Sequence, residues 1–294
     1  MPPVTKPVLF VAAILVAHPA WAEEHLTIDG RDRTYSVFRP PGLARDSAVP
    51  LVLVLHGGFG TGQQAEKSYG WDELAQAKGF VAVYPDGYRR SWNAGGGCCG
   101  PALRESVDDV KFLTSVIAAV SKAEHIDQRR IFLSGISNGA AMSYRYACAG
   151  PIAVGAIGSV SGTMPGGCSS PKPVSVLEIH GLKDRNIPFA GGSGSKGVTK
   201  IDWPAVQESL DVFRQAGRCG PAKTHVENVV TTSTSACARG NEVSLITISD
   251  AGHQWPGAEA NRPLARLLLD LDPPSRAIDA TAVIWDFFQR HSAP

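Results

Sequence analysis

Apolar runs of strand length alternate along the chain with stretches of helical periodicity. The runs at residues 50–55, 80–84, 130–135, 153–160, 174–180 and 242–249 predict strands, and a hairpin at 26–28 and 34–38 precedes them. Helical periodicity marks residues 64–78, 107–122, 138–147, 204–216 and 279–290. Strands that alternate with helices are typical of a mainly parallel sheet with helices on both faces. The pattern therefore predicts an α/β fold.

The last predicted helix shows how these helices are expected to pack. Asp279 stands where a helix N-cap would be, and Val283, Ile284, Phe287 and Phe288 fall on one face of the helix. We therefore expect this helix to lie with its apolar face against the sheet.

The first 22 residues differ from the rest of the chain. Lys6 precedes an apolar run at residues 8–17, and Ala20-Trp21-Ala22 matches an A-x-A cleavage site. The run is about half of the ~20 residues that a helix needs to span a bilayer, so a signal peptide is favoured over an uncleaved anchor. We expect residues 1–22 to be a signal peptide and 23–294 to be one catalytic domain, secreted to the extracellular space or the periplasm.

The charge balance argues against two classes of partner. The chain has 28 basic and 27 acidic side chains and no run of Lys or Arg. Nucleic acids and anionic membranes are recognised by concentrated positive charge. We therefore expect no nucleic-acid partner, and no membrane partner after cleavage of the signal peptide.

Six cysteines follow the predicted signal peptide: Cys98, Cys99, Cys148, Cys168, Cys219 and Cys237. An even number in an exported chain indicates disulfides, whereas zinc would require C-x-x-C or paired histidine spacings, which the sequence does not contain. Cys219 and Cys237 flank a short strand-like stretch and are expected to pair. The adjacent Cys98 and Cys99 are then expected to be divided between the two remaining cysteines, with a strained bond between the two neighbours as the alternative.

A candidate nucleophile lies at Ser137. Residues 135–139 read GISNG, which matches the G-x-S-x-G elbow, and they stand between a β-type run and a small-residue helix start. In such an elbow the glycines allow a sharp turn from strand to helix that presents the serine hydroxyl. The alternative is a tight turn with a solvated serine.

A nucleophilic serine needs a base, and three histidines follow it with enough intervening chain. His253 lies in AGHQWPG, directly after the last strand, where glycines free the backbone to direct a side chain towards the elbow. His180 ends a strand and is expected to support the site, while His225 lies in a polar stretch and is expected to be exposed. His253 is therefore the candidate base, with a structural loop histidine as the alternative.

The candidate acid is Asp184, which follows the strand at 174–180. In open α/β sheets the carboxyl ends of the strands form the ligand sites. Asp250 is too close to His253 along the chain to reach its far side comfortably, and Asp202 follows a glycine-rich loop, so both remain secondary candidates. A turn-capping role is the alternative for Asp184.

The segment His56-Gly57-Gly58-Phe59-Gly60 follows the strand at 50–55 and is similar to the H-G-G-G segment of esterases. Such a segment supplies one backbone N–H to an oxyanion hole, and the residue after the nucleophile supplies the other. The expected donors are therefore Phe59 and Asn138. A plain glycine-rich turn is the alternative.

These segments together resemble the secreted polyhydroxybutyrate depolymerase and feruloyl esterase group of the α/β-hydrolase superfamily. The resemblance rests on HGGFG at 56, YPDG at 84, SWNAGGGCCG at 91, VDDVKFL at 107, SGISNG at 134, HGLKDRNIPF at 180, GHQWPG at 252 and VIWDFF at 283. It implies an α/β-hydrolase fold, a catalytic triad of Ser137, Asp184 and His253, and a substrate pocket near Trp92, Asn93 and Trp255. Asp108 and Asp109 are interpreted as helix-start and scaffold carboxylates.

The resulting hypothesis is a secreted serine carboxylic-ester hydrolase that forms an acyl-enzyme and needs no metal and no organic cofactor. The expected substrate is a small or oligomeric ester, with polyesters and plant cell-wall esters both within the class. A secreted serine peptidase with the same triad is one alternative. A non-catalytic binding protein on the same fold is the other.

Overall fold

The structure is a computed structural model, and it describes residues 23–44, 46–197, 201–259 and 271–293. The predicted signal peptide at 1–22 lies outside the described residues. Across these four ranges, no helix combines the length and the apolar character that spanning a membrane requires.

Within the described residues, ten strands form one sheet, and two very short strands pair separately. In chain order the strands are β1 (Glu23–Ile28), β2 (Arg31–Phe38), β3 (Val49–Leu55), β4 (Val81–Pro85), β5 (Ile126–Ile136), β6 (Ala156–Val160), β7 (Ser175–Gly181), β8 (Gly192–Ser193), β9 (Asp202–Trp203), β10 (Lys223–Glu227), β11 (Val230–Ala236) and β12 (Glu242–Ile248). The large sheet has the order β1-β2-β4-β3-β5-β6-β7-β12-β11-β10, and β8 pairs with β9.

The centre of the sheet is parallel and its two flanks are antiparallel. Strands β4, β3, β5, β6, β7 and β12 run parallel to one another, while the β1–β2 hairpin and β11–β10 flank them in antiparallel pairing. Every residue of β3, β4, β6 and β7 is buried. Burial over the whole length of a strand is expected where the sheet is covered on both faces. The prediction of a mainly parallel sheet is therefore confirmed.

Helices cover both faces of the sheet. They are α1 (Gly62–Tyr69), α2 (Trp71–Lys78), α3 (Gly100–Arg104), α4 (Asp109–Ala123), α5 (Asn138–Ala149), α6 (Val206–Ala216) and α7 (Ala280–Gln289). Apolar residues of α4, α5 and α6 pack with Leu51, Leu53 and Leu55 on one face. Those of α1, α2 and α7 pack with Val52 and Val54 on the other. The alternation along β3 thus divides the core into two layers, as the side-chain period of a strand requires.

The predicted helix at 64–78 is in fact two helices. Gly70 has φ 73°, so it ends α1 in the left-handed conformation and stands at the N-cap of α2. Glycine adopts this conformation without the steric cost that a Cβ would bring.

Between Cys219 and Cys237 the chain forms the two-stranded hairpin of β10 and β11, which is longer than the short strand-like stretch predicted there. His225 lies on β10 and is exposed, as expected.

Three disulfides are present, and one of them follows the predicted pairing. Cys219 bonds to Cys237, which closes the base of the β10–β11 hairpin. The expected division of Cys98 and Cys99 is wrong, because these two neighbours are bonded to each other. Cys148 at the end of α5 instead bonds to Cys168 in the loop after β6, with a Cα–Cα distance of 5.7 Å. This distance suits a disulfide, and the bond leaves neither Cys148 nor Cys168 available to Cys98 or Cys99.

The two acidic residues at the start of α4 stabilise the scaffold, as interpreted from the sequence. The side chain of Asp108 accepts a hydrogen bond from the N–H of Lys111 and so caps the helix. Asp109 is buried and forms an ion pair with Arg33, with 2.7 Å between the charged atoms. It also accepts the N–H of Asn93 at 2.8 Å. Asp109 therefore connects α4 to β2 and to the loop after β4.

Candidate active site

Ser137 occupies the turn between β5 and α5. Its backbone has φ 58° and ψ −122°, which is a strained conformation for a residue with a side chain. The flanking glycines make the turn possible: a Cβ on Gly139 would lie 2.4 Å from the Leu55 carbonyl oxygen. A Cβ on Gly135 would lie 2.7 Å from the Gly139 carbonyl carbon. The elbow thus packs directly against the end of β3 and leaves the serine half-buried.

Asp184 and His253 are joined by a short hydrogen bond. Nδ1 of His253 donates to Oδ2 of Asp184 across 2.6 Å. The other oxygen, Oδ1, accepts the N–H groups of Asn186 at 2.8 Å and Ile187 at 2.9 Å. The Asp184 side chain is fully buried and the His253 side chain is 11% exposed. The carboxylate is therefore fixed by its own loop, and it directs the imidazole in turn.

The three candidate triad residues lie at the same edge of the sheet. Ser137 follows β5, Asp184 follows β7 and His253 follows β12, and these strands lie parallel within one run of neighbours. Within the described ranges, no hydrogen bond joins the Ser137 hydroxyl to His253. A nucleophile and its base are often far apart or poorly aligned until a substrate is bound.

The surroundings of Asp184 favour its ionised form. Burial raises the pKa of this carboxyl, but the hydrogen bond and charge of His253, the charge of His180 and the N–H of Ile187 together hold its pKa below the ordinary value. An ionised carboxylate at this position can stabilise an imidazolium on His253.

A second acid and histidine pair lies behind Asp184. Nδ1 of His180 is 2.8 Å from Oε1 of Glu178, and both side chains are fully buried. Nε2 of His180 is 2.9 Å from the Ile187 carbonyl oxygen and 3.6 Å from Oδ2 of Asp184. Burial lowers the pKa of His180, but the hydrogen bond and charge of Glu178, the charge of Asp184 and the Ile187 carbonyl together outweigh burial, and the pKa is raised overall. From the sequence, His180 was expected to support the site. Glu178, two positions earlier on the same face of β7, was not among the expected site residues.

The backbone donors near Ser137 differ from those expected. The N–H of Phe59 donates to the Arg90 carbonyl oxygen across 2.9 Å, so this group is not free to bind an oxyanion. Gly58 lies beside the elbow, since a Cβ there would be 4.0 Å from Cβ of Asn138. Asn138 is the first residue of α5, where N–H groups have no partner within the helix. Within the described chain, the N–H groups of Gly58 and Asn138 have no acceptor.

Trp92 is buried in the scaffold, and Asn93 is half-buried and bonded to the same scaffold. Trp92 has no exposed surface, and its Nε1 donates to the His56 carbonyl oxygen across 2.9 Å. Its backbone N–H and carbonyl pair with the side chain of Asn138 at 2.7 and 2.9 Å. Nδ2 of Asn93 donates to the Val107 carbonyl oxygen across 2.9 Å. These contacts hold the loop after β4 against the elbow and leave Trp92 without exposed surface for a substrate, whereas the expected role of Asn93 stays a prediction.

Trp255 is also buried, which argues against its expected place in the pocket. Only 2% of its surface is exposed, its ring stacks on Tyr69 at 4.4 Å, and Nε1 donates to Thr281 across 3.0 Å. The aromatic side chain that does face solvent at this edge is Phe59, with 69% exposure.

The secondary acid candidates stay away from the imidazole. Asp202 and Asp250 are both exposed, and neither forms a hydrogen bond with His253. No group of three or more His, Cys, Asp or Glu side chains in the described ranges could hold a metal ion.

Comparison with known proteins identifies the family of this chain. A sequence profile described as Esterase PHB depolymerase matches residues 33–222, which is more than half of the chain. The chain belongs to this family. Proteins similar to this chain are named as esterases, and the protein is accordingly a carboxylic ester hydrolase of the α/β-hydrolase superfamily.

Two relatives and one solved structure illustrate the similarity. The chain is 30% identical over 242 residues to the "Probable feruloyl esterase C" of Aspergillus oryzae, which covers 80% of this chain and 81% of the relative. It is 28% identical over 268 residues to the protein of the same name from Aspergillus terreus, covering 89% and 84%. An acetyl xylan esterase structure from Aspergillus awamori superposes with a TM-score of 0.57 at 14% identity, covering 79% of this chain and 94% of that one. At this identity the superposition supports the fold alone.

Proposed function

We propose that this family member cleaves esters through a Ser137–His253–Asp184 triad and an acyl-enzyme. His253 takes the hydroxyl proton as Ser137 Oγ attacks the ester carbonyl, and it returns that proton to the departing alkoxide when the ester C–O bond breaks. Water, deprotonated by the same imidazole, then attacks the acyl-serine and releases the acid. Asp184 orients the ring and stabilises its protonated form.

The observation that carries this proposal is the 2.6 Å hydrogen bond between His253 and Asp184 at the edge where the Ser137 elbow ends β5. Strained backbone of the kind found at Ser137 persists where the surrounding structure enforces it, and it is concentrated at active sites. We assign the oxyanion donors to the N–H groups of Gly58 and Asn138, because both are free and Phe59 is not.

We further propose that the substrates are soluble aryl or oligomeric esters, with feruloyl esters of plant cell walls first among them. The names of the relatives support this choice, since they include feruloyl esterases and an acetylxylan esterase. The exposed ring of Phe59 offers apolar surface next to the proposed oxyanion hole. Hydroxybutyrate oligomers are the second candidate, because the family description names that polymer.

We propose that the protein acts after export. Three cysteine pairs are bonded and no cysteine of the described residues is free, which suits an oxidising compartment. The apolar segment at 8–17 supports the same route.

Ser137→Ala tests the mechanism, with the exposed Ser170→Ala as the matched control. Ser137→Ala should lower kcat on feruloyl and hydroxybutyrate esters by about 10³-fold or more and abolish labelling by a fluorophosphonate, while circular dichroism stays unchanged. Ser170→Ala should behave as the wild type. Near-normal turnover by Ser137→Ala would refute the triad. Peptide cleavage at rates comparable to ester cleavage would favour the peptidase, and a wild type that neither labels nor hydrolyses esters would favour a binding protein.

A further inference from the structure

A second acidic residue, Asp272, contacts the candidate base. Oδ2 of Asp272 accepts the backbone N–H of His253 across 2.9 Å, while Asp184 holds the imidazole at Nδ1. The two carboxylates come from different loops, after β7 and before α7. His253 is thus held by a carboxylate at its backbone and by another at its ring.

Gly252, the residue before His253, leaves room for this contact because it has no side chain. A Cβ on Gly252 would lie 2.3 Å from Oδ2 and 2.5 Å from Cγ of Asp272. Real Cβ atoms do not approach other atoms so closely, so any side chain at this position would displace the carboxylate. Glycine at 252 therefore permits the carboxylate to reach the N–H of His253.

Asp272 is itself held by two basic side chains from the loop that carries Asp184. Its Oδ1 lies 3.3 Å from Nζ of Lys196 and 4.0 Å from the guanidinium of Arg185. The Asp272 side chain is only 16% exposed. Positive charge on one oxygen and a backbone donor on the other fix the carboxylate in place, and they connect the loops after β7 and β12.

We propose that Asp272 is a positioning residue that fixes the backbone of His253, so that the imidazole stands where it can accept the Ser137 proton. This inference rests on the triad proposed above. A general base is effective only within about 0.5 Å of its productive position. Gly252 would leave the His253 backbone free to move unless another group held it, since glycine has the greatest conformational freedom.

The test compares Asp272→Ala, Asp272→Asn and Asp250→Ala in the full chain with a soluble aryl ester. Asp272→Ala should lower kcat by about 10- to 100-fold while KM changes by less than about twofold, because binding surface is kept and orientation is lost. Asp272→Asn keeps an oxygen that can accept the N–H, so its kcat should stay within about threefold of the wild type. Asp250→Ala removes an equal charge from an exposed residue that does not contact His253, and it should leave kcat unchanged.

Several outcomes would overturn the inference. Wild-type kcat in Asp272→Ala would do so, and equal losses in the two Asp272 variants would show that the accepted hydrogen bond is not the cause. Equal losses in Asp272→Ala and Asp250→Ala would point to charge alone. If Asp272→Ala fails to fold, hydrogen exchange in the wild type decides: the His253 amide should be protected, and exchange at the rate of a free amide would refute the contact. Ser137→Ala, assayed in parallel, tests the proposed triad separately. Failure of the triad and failure of the Asp272 inference can therefore be distinguished.

Discussion

A buried carboxyl in α1 makes the stability of the fold depend on pH in a defined direction. Glu66 is 6% exposed, and its Oε2 lies 3.5 Å from the Ser36 hydroxyl. Burial, together with the nearby charge of Asp72, raises the pKa of Glu66 from 4.5 to about 7. Below about pH 4.5 the folded and unfolded chains both keep the proton, and between 4.5 and 7 only the folded chain keeps it. Stability contributed at this site is therefore lost as the pH rises through that window.

Glu66→Gln removes this penalty because the amide never ionises. A shift from 4.5 to about 7 corresponds to about 3 kcal/mol at full value. Residual solvent screens the charge, so we expect Glu66→Gln to stabilise the protein by about 1–2 kcal/mol at pH 8. In a chain of this length that raises Tm by about 2–6 °C. At pH 4 the variant and the wild type should melt together.

Calorimetry at pH 4 and pH 8 provides the assay, and Glu73→Gln is the control because Glu73 is exposed on the next helix. The control should change Tm little at either pH. A Glu66→Gln variant that is less stable than the wild type at pH 8, or a gain that is equal at both pH values, would refute the reasoning.

Two further predictions concern packing and covalent structure. Gly139→Ala should lower stability by about 1–3 kcal/mol and should also lower kcat, since its Cβ would lie 2.4 Å from the Leu55 carbonyl oxygen. Thermal melts and ester assays compare it with the control Gly220→Ala, whose Cβ would meet no atom closer than 3.8 Å. Non-reducing peptide mapping should join Cys148 to Cys168, and replacing that pair by alanine should lower stability by about 3 kcal/mol. A link from Cys148 to residue 98 or 99 would contradict the structure.

The elements that were predicted well are those whose environment is uniform. Strands such as β3 and β4 are buried over their whole length, so their apolar runs identify them without further information. Chain order and the carboxyl edge of the sheet pointed to Asp184 and His253, which the structure places in hydrogen-bond contact. Single-residue features were harder, because Gly70 divides a helix whose periodicity continues across the break.

The errors near the site have a common physical origin. Whether a tryptophan lines a pocket or fills a core depends on which segments pack against it, and those segments are distant in sequence: Trp255 stacks on Tyr69. The N–H of Phe59 is occupied by a carbonyl at Arg90, which only the folded loop brings near. No local pattern could have assigned these contacts, and the same holds for Asp272, whose link to His253 depends on the path of the chain between them.

The outer strand β10 has a consequence for how the molecule behaves at high concentration. An open sheet ends in a row of backbone groups that can recruit a strand from another copy, which is a common route to aggregation. All five residues of β10 are exposed, with Lys223 and Glu227 at its two ends. A strand that paired with β10 would have to desolvate these charged side chains. The disulfide between Cys219 and Cys237 also keeps the hairpin closed, so it cannot open and pair with another copy over a longer segment. This edge of the sheet is thus built to discourage self-association.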